Sequence, residues 1–206
     1  MKKEEMMGTV VCTEKTVAIY EAIIAMINEG VDVNEMKVGD ITNRAGIGKG
    51  TAYEYFQSKE EMVEKALYYN VNRQIGTAQK LVTEADTFRD KFMAVLNYME
   101  ENKDQIRTFL WMTRIAGNSI DISHIGENSE GCALMQERIA NLVMLADWFL
   151  AFGDAEGLFK ETNHDFRVSA LLAQIVQFGF YLHYGNKTDM EELKNFIYEG
   201  FVKQLS

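Results

Sequence analysis

Hydrophobic residues recur every three or four positions along most of the chain, a spacing that predicts amphipathic helices. The first stripe predicts a helix from Thr13, whose hydroxyl can cap its start, to Glu29, with Gly30 ending it. The residues of this stripe are Val17, Tyr20, Ile23, Ile24 and Ile27. No β-branched run alternates over the length of a strand, and the sequence contains no proline. We therefore expect an all-α protein.

Two short helices are predicted next, from Val38 to Arg44 and from Lys49 to Phe56, on either side of a break at Ala45 and Gly46. Two short helices joined by a tight glycine turn have the outline of a helix-turn-helix. On these residues alone, a plain helical hairpin with a glycine turn is the competing interpretation.

A long helix is predicted to begin at Ser58. Glu61 follows three residues later, which is the pattern of a reciprocal capping box, and the apolar stripe continues to Val82. We place a domain boundary inside this helix, near Tyr68 to Arg73. The prediction is a three-helix N-terminal helix-turn-helix domain over residues 1–70 and a helical C-terminal domain for ligand binding and dimerisation over residues 71–206.

Five further helices complete a total of about nine. Their predicted ranges are Phe88 to Glu101, Asp104 to Ala116, Cys132 to Phe152, Asp165 to Tyr184 and Asp189 to Leu205. The segment from Gly117 to Gly131 is rich in glycine, serine and asparagine and is predicted to be a loop, and the stretch GDAEG at Gly153 is predicted to be another break.

The composition limits the possible partners. The chain is 47% hydrophobic and carries 21 Lys and Arg against 31 Asp and Glu, a net charge of −10, so any contact with nucleic acid must be local. The sequence shows no signal peptide and no run apolar enough for a membrane anchor, and its two cysteines form no spaced pair. We expect a cytoplasmic protein with reduced thiols, no contact with a membrane, no metal site and no cofactor.

The second short helix has residues suited to the major groove of DNA. Gly48 can serve as its N-cap, and Lys49 can reach a guanine edge or a phosphate. Gly50 has no side chain, so the free amides at the helix N-terminus can approach the DNA closely. Thr51 offers a hydroxyl for a phosphate and a methyl for thymine.

The two sides of this helix have different predicted roles. Ala52 and Phe56 share one side and should pack onto Ile41, Ile47 and the first helix, whereas Glu54 faces away. Tyr53 and Tyr55 lie at the flanks, where a ring can be half buried while its hydroxyl reaches a phosphate. Three further cations are predicted backbone clamps: Lys37, Arg44 and Lys59.

The local charge supports this interpretation only in part. Residues 1–70 carry eight Lys and Arg against twelve Asp and Glu, whereas residues 37–59 carry four cations against Asp40 and Glu54. The face is therefore locally positive on an acidic body. With so few cations, we expect a modest salt dependence of DNA binding.

The stretch VGDITNRAGIGKGTAYEYFQSKEEM, Val38 to Met62, resembles the signature of the tetracycline-repressor-like (TetR) family of transcriptional regulators. The resemblance implies that Lys49, Gly50 and Thr51 touch bases and phosphates. It also implies that Tyr53 reaches the DNA backbone and that Lys59 meets a phosphate. Three positions depart from the family pattern: Gly48 replaces a serine cap, Ala52 replaces a larger apolar residue, and Lys37 replaces a capping threonine.

A second candidate site is a ligand pocket in the C-terminal domain. The stretch from Ile139 to Phe152 is apolar nearly all round and should be buried on most sides. Aromatic and thioether side chains could line an adaptable cavity for a flat apolar ligand, although ordinary core packing explains each of them as well. These residues are Tyr98, Met99, Trp111, Met112, Met144, Trp148, Phe149 and Phe178.

Asp147 lies inside the same apolar run. If it is buried, its carboxylate needs a partner, which could be Arg107, Arg114 or a cationic ligand. The histidines lack the spacing of metal ligands and are expected at the surface.

The last two helices carry adjacent apolar stripes, on which the resemblance implies a four-helix dimer interface. The predicted interface residues are Leu172, Ile175, Val176, Phe180, Phe196, Ile197, Gly200 and Phe201. A twofold dimer would read a palindromic operator in double-stranded DNA, with half-sites spaced by whole helical turns.

The function expected from these features is that of a ligand-responsive, homodimeric DNA-binding regulator, a repressor that a small apolar or amphipathic effector releases from its operator. The alternative is a helical protein-interaction module that keeps the fold without DNA binding, which the net charge of residues 1–70 favours. We do not expect an enzyme, because no nucleophile, carboxylate pair or phosphate loop has catalytic spacing.

Overall fold

The computed structural model describes residues 12–105, 108, 130–185 and 189–206, and the side chains of residues 130–139 are not part of that description. Within these ranges the protein is all helical, which confirms the predicted fold class. The helices are α1 Glu14–Asn28, α2 Val38–Ala45, α3 Lys49–Tyr55, α4 Lys59–Glu84, α5 Phe88–Glu101, a 3-10 helix Lys103–Gln105, α6 Glu130–Ala155, α7 His164–Tyr184 and α8 Met190–Leu205. The predicted helix Asp104 to Ala116 and the predicted loop Gly117 to Gly131 lie largely outside the described residues.

The start of α1 is fixed by two threonines. The amide of Thr16 donates to Thr13 Oγ1 at 3.2 Å, and the amide of Thr13 donates to Thr16 Oγ1 at 2.9 Å. These bonds satisfy amides that a helix start leaves unpaired, so the predicted cap at Thr13 is confirmed.

The start of α4 differs from the prediction in one bond. The amide of Glu61 donates to Ser58 Oγ at 3.1 Å, as expected. The Glu61 carboxylate, however, accepts from the amide of Gln57 at 2.5 Å rather than from that of Ser58. Glu61 therefore also fixes Gln57, one residue before the predicted cap.

The predicted break in the stretch GDAEG, Gly153 to Gly157, is present, but the helix before it ends three residues later than the predicted Phe152. The helix α6 continues through Gly153 to Ala155, and the turn follows at Gly157, whose φ of 70° lies in the left-handed region. Glycine adopts this conformation without the steric cost that a Cβ brings, so the helix ends there.

The chain forms two compact units. The first contains the described residues up to Gln79 together with residues 104, 105 and 108. Its core joins α1, α2, α3 and the beginning of α4, with Ile19, Ile23, Ile41 and Met62 fully buried. Because all of these helices contribute apolar side chains to one core, burial of this surface fixes the orientation of α2 and α3.

The second unit contains residues 80–103 and the described residues from 130 onward. Its core is rich in aromatic rings, and Phe88 lies at its centre with five ring neighbours. The neighbours are Phe92, Phe149, Phe159, Tyr198 and Phe201.

A buried cation also ties this unit together. Lys194 of α8 is 3% exposed, and its Nζ donates to Asn97 Oδ1 at 2.6 Å and to Glu100 Oε2 at 3.0 Å, both on α5. Its carboxylate partners, Glu100 and Glu191, raise the pKa of Lys194 against the opposing effect of burial. A buried ammonium needs such partners, so these bonds hold α8 against α5.

Candidate nucleic-acid interface

The turn between α2 and α3 is made by Gly46. Its φ of 67° lies in the left-handed region, and its amide donates to the carbonyl of Asn43 at 3.2 Å. The amide of Ile47 donates to the carbonyl of Thr42 at 2.9 Å. These two bonds complete the last turn of α2 and reverse the chain, so α3 starts at Lys49 with Gly48 as its N-cap.

One side of α3 is held on the core. Ala52 is fully buried and Phe56, its C-cap, is 2% exposed. The Phe56 ring meets the ring of Tyr20 on α1 edge to face, with centroids 5.8 Å apart. The predicted packing of Ala52 and Phe56 in one core with Ile41 of α2, the partly buried Ile47 and α1 is therefore confirmed.

The other side of α3 is open. Lys49, Gly50 and Glu54 are exposed, and the Tyr53 side chain is 47% exposed. A Cβ built on Gly50 would have no atom within 4 Å, which leaves room for a partner to approach the backbone. Thr51 is half buried. The structure thus brings the predicted base-contacting residues together on one free surface.

Tyr55 lies apart from this surface. Its half-buried ring packs against the core of the first unit, 6.5 Å from the Phe56 ring. The predicted DNA contact of Tyr55 stays a prediction. Because the ring packs against the core, its hydroxyl is the group left to make that contact.

The three predicted clamp cations have different surroundings. Lys37 is the exposed N-cap of α2, and among the described residues no acidic side chain pairs with it. Arg44 donates from Nη1 and Nη2 to Glu29 at 2.6 and 2.5 Å, and this pair lowers the pKa of Glu29. Lys59 Nζ donates to the carbonyls of Val33 and Asn34, both at 3.2 Å. Two of the three are therefore engaged within the unit, and all three contacts with DNA stay predictions.

This geometry lies within a segment that known proteins share. Residues 19–66 match the model of the bacterial regulatory proteins of the tetR family. The chain carries the N-terminal domain of the tetR family. The family resemblance found in the sequence is confirmed, and the match contains α2, the glycine turn and α3 complete.

One curated relative is the HTH-type transcriptional regulator SAR0097 of Staphylococcus aureus, 22% identical over 125 residues. The alignment covers 59% of this chain, and the chain spans 65% of the length of that relative.

Two solved structures resemble this chain over nearly its whole length. The fatty acid degradation regulator FadR of Bacillus halodurans is 17% identical with a TM-score of 0.70, and the alignment covers 94% of this chain and 97% of that one. FadR of Bacillus subtilis, solved in complex with stearoyl-CoA, is 19% identical with a TM-score of 0.68, covering 93% and 100%. At these identities the likeness establishes a shared fold.

The residues of the predicted ligand pocket lie in different surroundings. Phe178 is fully buried in the core of the second unit, and Met99, Trp148 and Phe149 pack against or within that core. Tyr98 is half buried. Met144, by contrast, is 44% exposed, so within this unit it does not share an enclosed cavity with Phe178. Trp111 and Met112 lie outside the described residues.

Asp147 is not buried, although it lies inside the apolar run. Its side chain is 46% exposed, and its Oδ1 lies 2.9 Å from Nε2 of His164 at the start of α7. The apolar residues around Asp147 suggest burial on all sides, but one side of α6 is exposed, and Leu142 is also 39% exposed.

The predicted dimer residues lie on both sides of their helices. Phe196 is 73% and Phe180 47% exposed, Gly200 is exposed, and Leu172, Ile175 and Val176 are half buried. Ile197 and Phe201 are instead buried in the core of their own unit, so their assignment to the interface is wrong. A stripe at helical spacing does not show which of its edges faces the chain's own core.

The first unit also contains a cleft that the sequence did not reveal. It has a volume of about 240 Å³ and lies among α1, α4 and the 3-10 helix. Glu21, Asn28, Asn70, Arg73 and Gln105 supply its polar lining. These residues carry no motif, so only the fold brings them together.

Within the described ranges no helix is long and apolar enough to span a bilayer, and no three His, Cys, Asp or Glu side chains are grouped as metal ligands.

Proposed function

We propose that the protein is a DNA-binding transcriptional regulator whose α3 enters the major groove of double-stranded DNA. The observation that carries this proposal is the free surface of α3, where Lys49, Gly50 and Tyr53 are exposed while the opposite side is fixed in the core. The match to the tetR-family domain over the same residues supports it. Helix N-termini with exposed amides and a cation bind DNA phosphates and base edges.

The experiment is a gel-shift titration with the DNA upstream of the protein's own gene. Lys49→Ala/Tyr53→Ala is expected to abolish the shift while the protein stays folded. The matched control is Lys80→Ala, which removes an exposed cation of α4 outside this surface. If the wild type and the double mutant shift the DNA equally, α3 is not the helix that binds the DNA. If wild type binds no DNA but captures a protein, the alternative of an interaction module holds.

We further propose that an apolar or amphipathic small molecule bound in the second unit releases the protein from its operator. Two observations support this: the aromatic core around Phe88, and the continuity of α4 from Lys59, which directly follows the α3 segment, to Glu84. A ligand that prefers one conformation of α4 would shift the DNA affinity by about 1 to 3 kcal/mol.

Stearoyl-CoA is the first probe for this effector, because the Bacillus subtilis FadR of similar fold was solved in complex with it. The expected result is weaker operator binding at saturating probe, with stearic acid and free coenzyme A tested separately to show which part acts. Tight binding of the probe with unchanged operator affinity would refute the proposed release. It would leave DNA binding itself untouched.

We also propose a homodimer formed through the exposed sides of α7 and α8. The large exposed rings of Phe180, Tyr184 and Phe196 support this, because monomeric surfaces rarely present several aromatic rings on neighbouring helices. A twofold dimer would place two copies of α3 about 34 to 36 Å apart, or a multiple, on a palindromic operator.

A further inference from the structure

We propose that Glu29 controls the DNA affinity of the protein by occupying Arg44, so that Arg44 is withheld from the phosphate it could otherwise bind. This inference rests on the proposed DNA binding. Both terminal guanidinium nitrogens of Arg44 donate to the Glu29 carboxylate, Nη1 to Oε2 at 2.6 Å and Nη2 to Oε1 at 2.5 Å.

The geometry makes carboxylate and phosphate compete for the Nη1–Nη2 fork of Arg44. A guanidinium binds a phosphate best through two parallel N–H groups, the same fork that it offers a carboxylate. In Arg44 that fork is occupied by Glu29. A phosphate must therefore displace Glu29 to obtain the bidentate contact through Nη1 and Nη2, and a phosphate at the remaining N–H groups meets a guanidinium whose charge Glu29 already offsets.

The charge balance leads to the same result. Arg44 and its partner together carry no net charge, so the pair adds nothing to the attraction of the DNA polyanion and releases no counterion by itself. Lys59 is also held, by the carbonyls of Val33 and Asn34. Of the four cations between residues 37 and 59, Lys37 and Lys49 are the two without a partner among the described residues.

The location of the pair explains why Glu29 can hold its partner. Glu29 is the C-cap of α1, and Arg44 is in the last turn of α2, directly before the Gly46 turn that leads to α3. Both backbones are fixed by the core of the first unit, so neither side chain has to order a flexible segment to form the pair. The side chains are 56% and 39% exposed, so water and DNA can still reach them.

The experiment measures binding to a mixed-sequence duplex of about 30 base pairs, long enough for two half-sites, by fluorescence anisotropy across a range of salt concentrations. Glu29→Gln frees the guanidinium and keeps a similar shape. Binding is expected to tighten roughly eightfold at about 0.1 M salt, and the slope of log K against log[salt] should steepen by about 0.9, as for one added phosphate contact.

The double substitution Glu29→Gln/Arg44→Gln decides between two roles of Arg44. It removes the pair without changing the net charge, so the proposal expects the wild-type slope. If Arg44 already binds a phosphate in the wild type, the double variant loses about 0.9 of slope instead. Weaker binding by Glu29→Gln alone would mean that Glu29 positions Arg44 for DNA, which also overturns the proposal.

Glu14→Gln is the matched control. It makes the same change of charge at the exposed first turn of α1, about 20 Å from Glu29 along the helix, and should leave the slope unchanged. An equal gain from Glu14→Gln would show a general charge effect and overturn the role of Glu29. Failure of the wild type to bind any duplex at low salt would refute the proposed DNA binding itself. This outcome differs from those that overturn only the role of Glu29.

Discussion

Lys91 Nζ lies 2.8 Å from the carbonyl oxygen of Val82, and this bond joins the first turn of α5 to the last turn of α4. The same ammonium donates to the carbonyl of Ala85 and stands 4.5 Å from the centroid of the Phe152 ring on α6. The last carbonyls of a helix have no partner within the helix, so Lys91 acts as the C-cap of α4. It does so while only 5% exposed.

Lys91→Met is therefore expected to destabilise the second unit. Methionine keeps the apolar stem but leaves the carbonyls of Val82 and Ala85 without their charged donor, at a cost of about 2 kcal/mol. Urea denaturation followed by circular dichroism measures this loss. Lys80→Met, at an exposed position of α4, should change stability by less than about 0.5 kcal/mol. Equal stabilities of the two variants would contradict the capping role.

A second stability prediction concerns Gly153 on α6. A Cβ there would lie 2.2 Å from Cε2 of Phe159. The Phe159 ring is confined by Phe88, with centroids 5.3 Å apart, and by Phe201, at 5.8 Å, so it cannot move aside cheaply. Gly153→Ala should cost about 1 to 3 kcal/mol despite the higher helix propensity of alanine.

The matched control for this prediction is Gly76→Ala on α4. A Cβ at Gly76 would have no atom within 4 Å, so only the propensity gain of up to about 1 kcal/mol should appear. Thermal unfolding of both variants tests the pair. If Gly153→Ala is as stable as Gly76→Ala, the contact between Gly153 and the Phe159 ring does not constrain α6.

Local features of the helices could be predicted from the sequence because the signals that set them are local. Thr13 caps α1, and the glycine at position 46 supplies the left-handed turn before α3. The core side of α3 follows from two residues four positions apart, Ala52 and Phe56. Spacing and capping chemistry determine these features without reference to distant parts of the chain.

Features that depend on packing between distant elements could not be predicted in this way. Neighbouring residues Phe196 and Ile197 both belong to the apolar stripe of α8, yet one is exposed and the other buried, since the positions of α5 and α7 decide which edge is covered. The Glu29–Arg44 pair joins residues fifteen positions apart through the arrangement of α1 and α2. Neither arrangement has a local signal.

A pH prediction follows from His164. Hydrogen bonds to Asp165 and Asp147, together with the charge of these carboxylates, raise the pKa of His164 above 6.5. The protonated imidazole donates from Nδ1 to Asp165 at 3.1 Å and from Nε2 to Asp147 at 2.9 Å. Because the folded pKa is raised, the stabilisation is complete below about pH 6.5 and is lost as the pH rises through the folded pKa.

NMR titration of the His164 ring resonances checks this directly. The resonances are assigned by their absence in His164→Gln. Asp147→Asn should lower the pKa of His164, because it removes the carboxylate that the Nε2 proton contacts, and it should flatten the fall in stability above pH 6.5. An unchanged titration curve in Asp147→Asn would show that the contact to α6 is not made in solution.

The proposed dimer gives a prediction at Phe196. Its side chain is 73% exposed on α8, so Phe196→Glu leaves the core of the unit intact but places a charge in the proposed interface. The dissociation free energy should fall by about 2 to 4 kcal/mol, which raises the dissociation constant about 30- to 1,000-fold in sedimentation equilibrium. Phe166→Glu is the control, because Phe166 is 41% exposed in the first turn of α7, far from Phe180 on the same helix. Dimerisation that survives Phe196→Glu would exclude this surface.

Base preference is predicted to depend on Glu54. Its carboxylate is exposed on the free side of α3, beside Tyr53 and away from the core residue Ala52. A carboxylate on a helix in the major groove can accept a hydrogen bond from the N4 amine of cytosine, whereas it repels phosphates. Glu54→Ala should therefore relax the preference at one base pair by about 1 to 3 kcal/mol, and binding-site selection from a randomised duplex library measures it.

Glu35→Ala, at an exposed position in the turn before α2, is the charge-matched control. If Glu54→Ala and the control select the same sites as the wild type, Glu54 does not read bases.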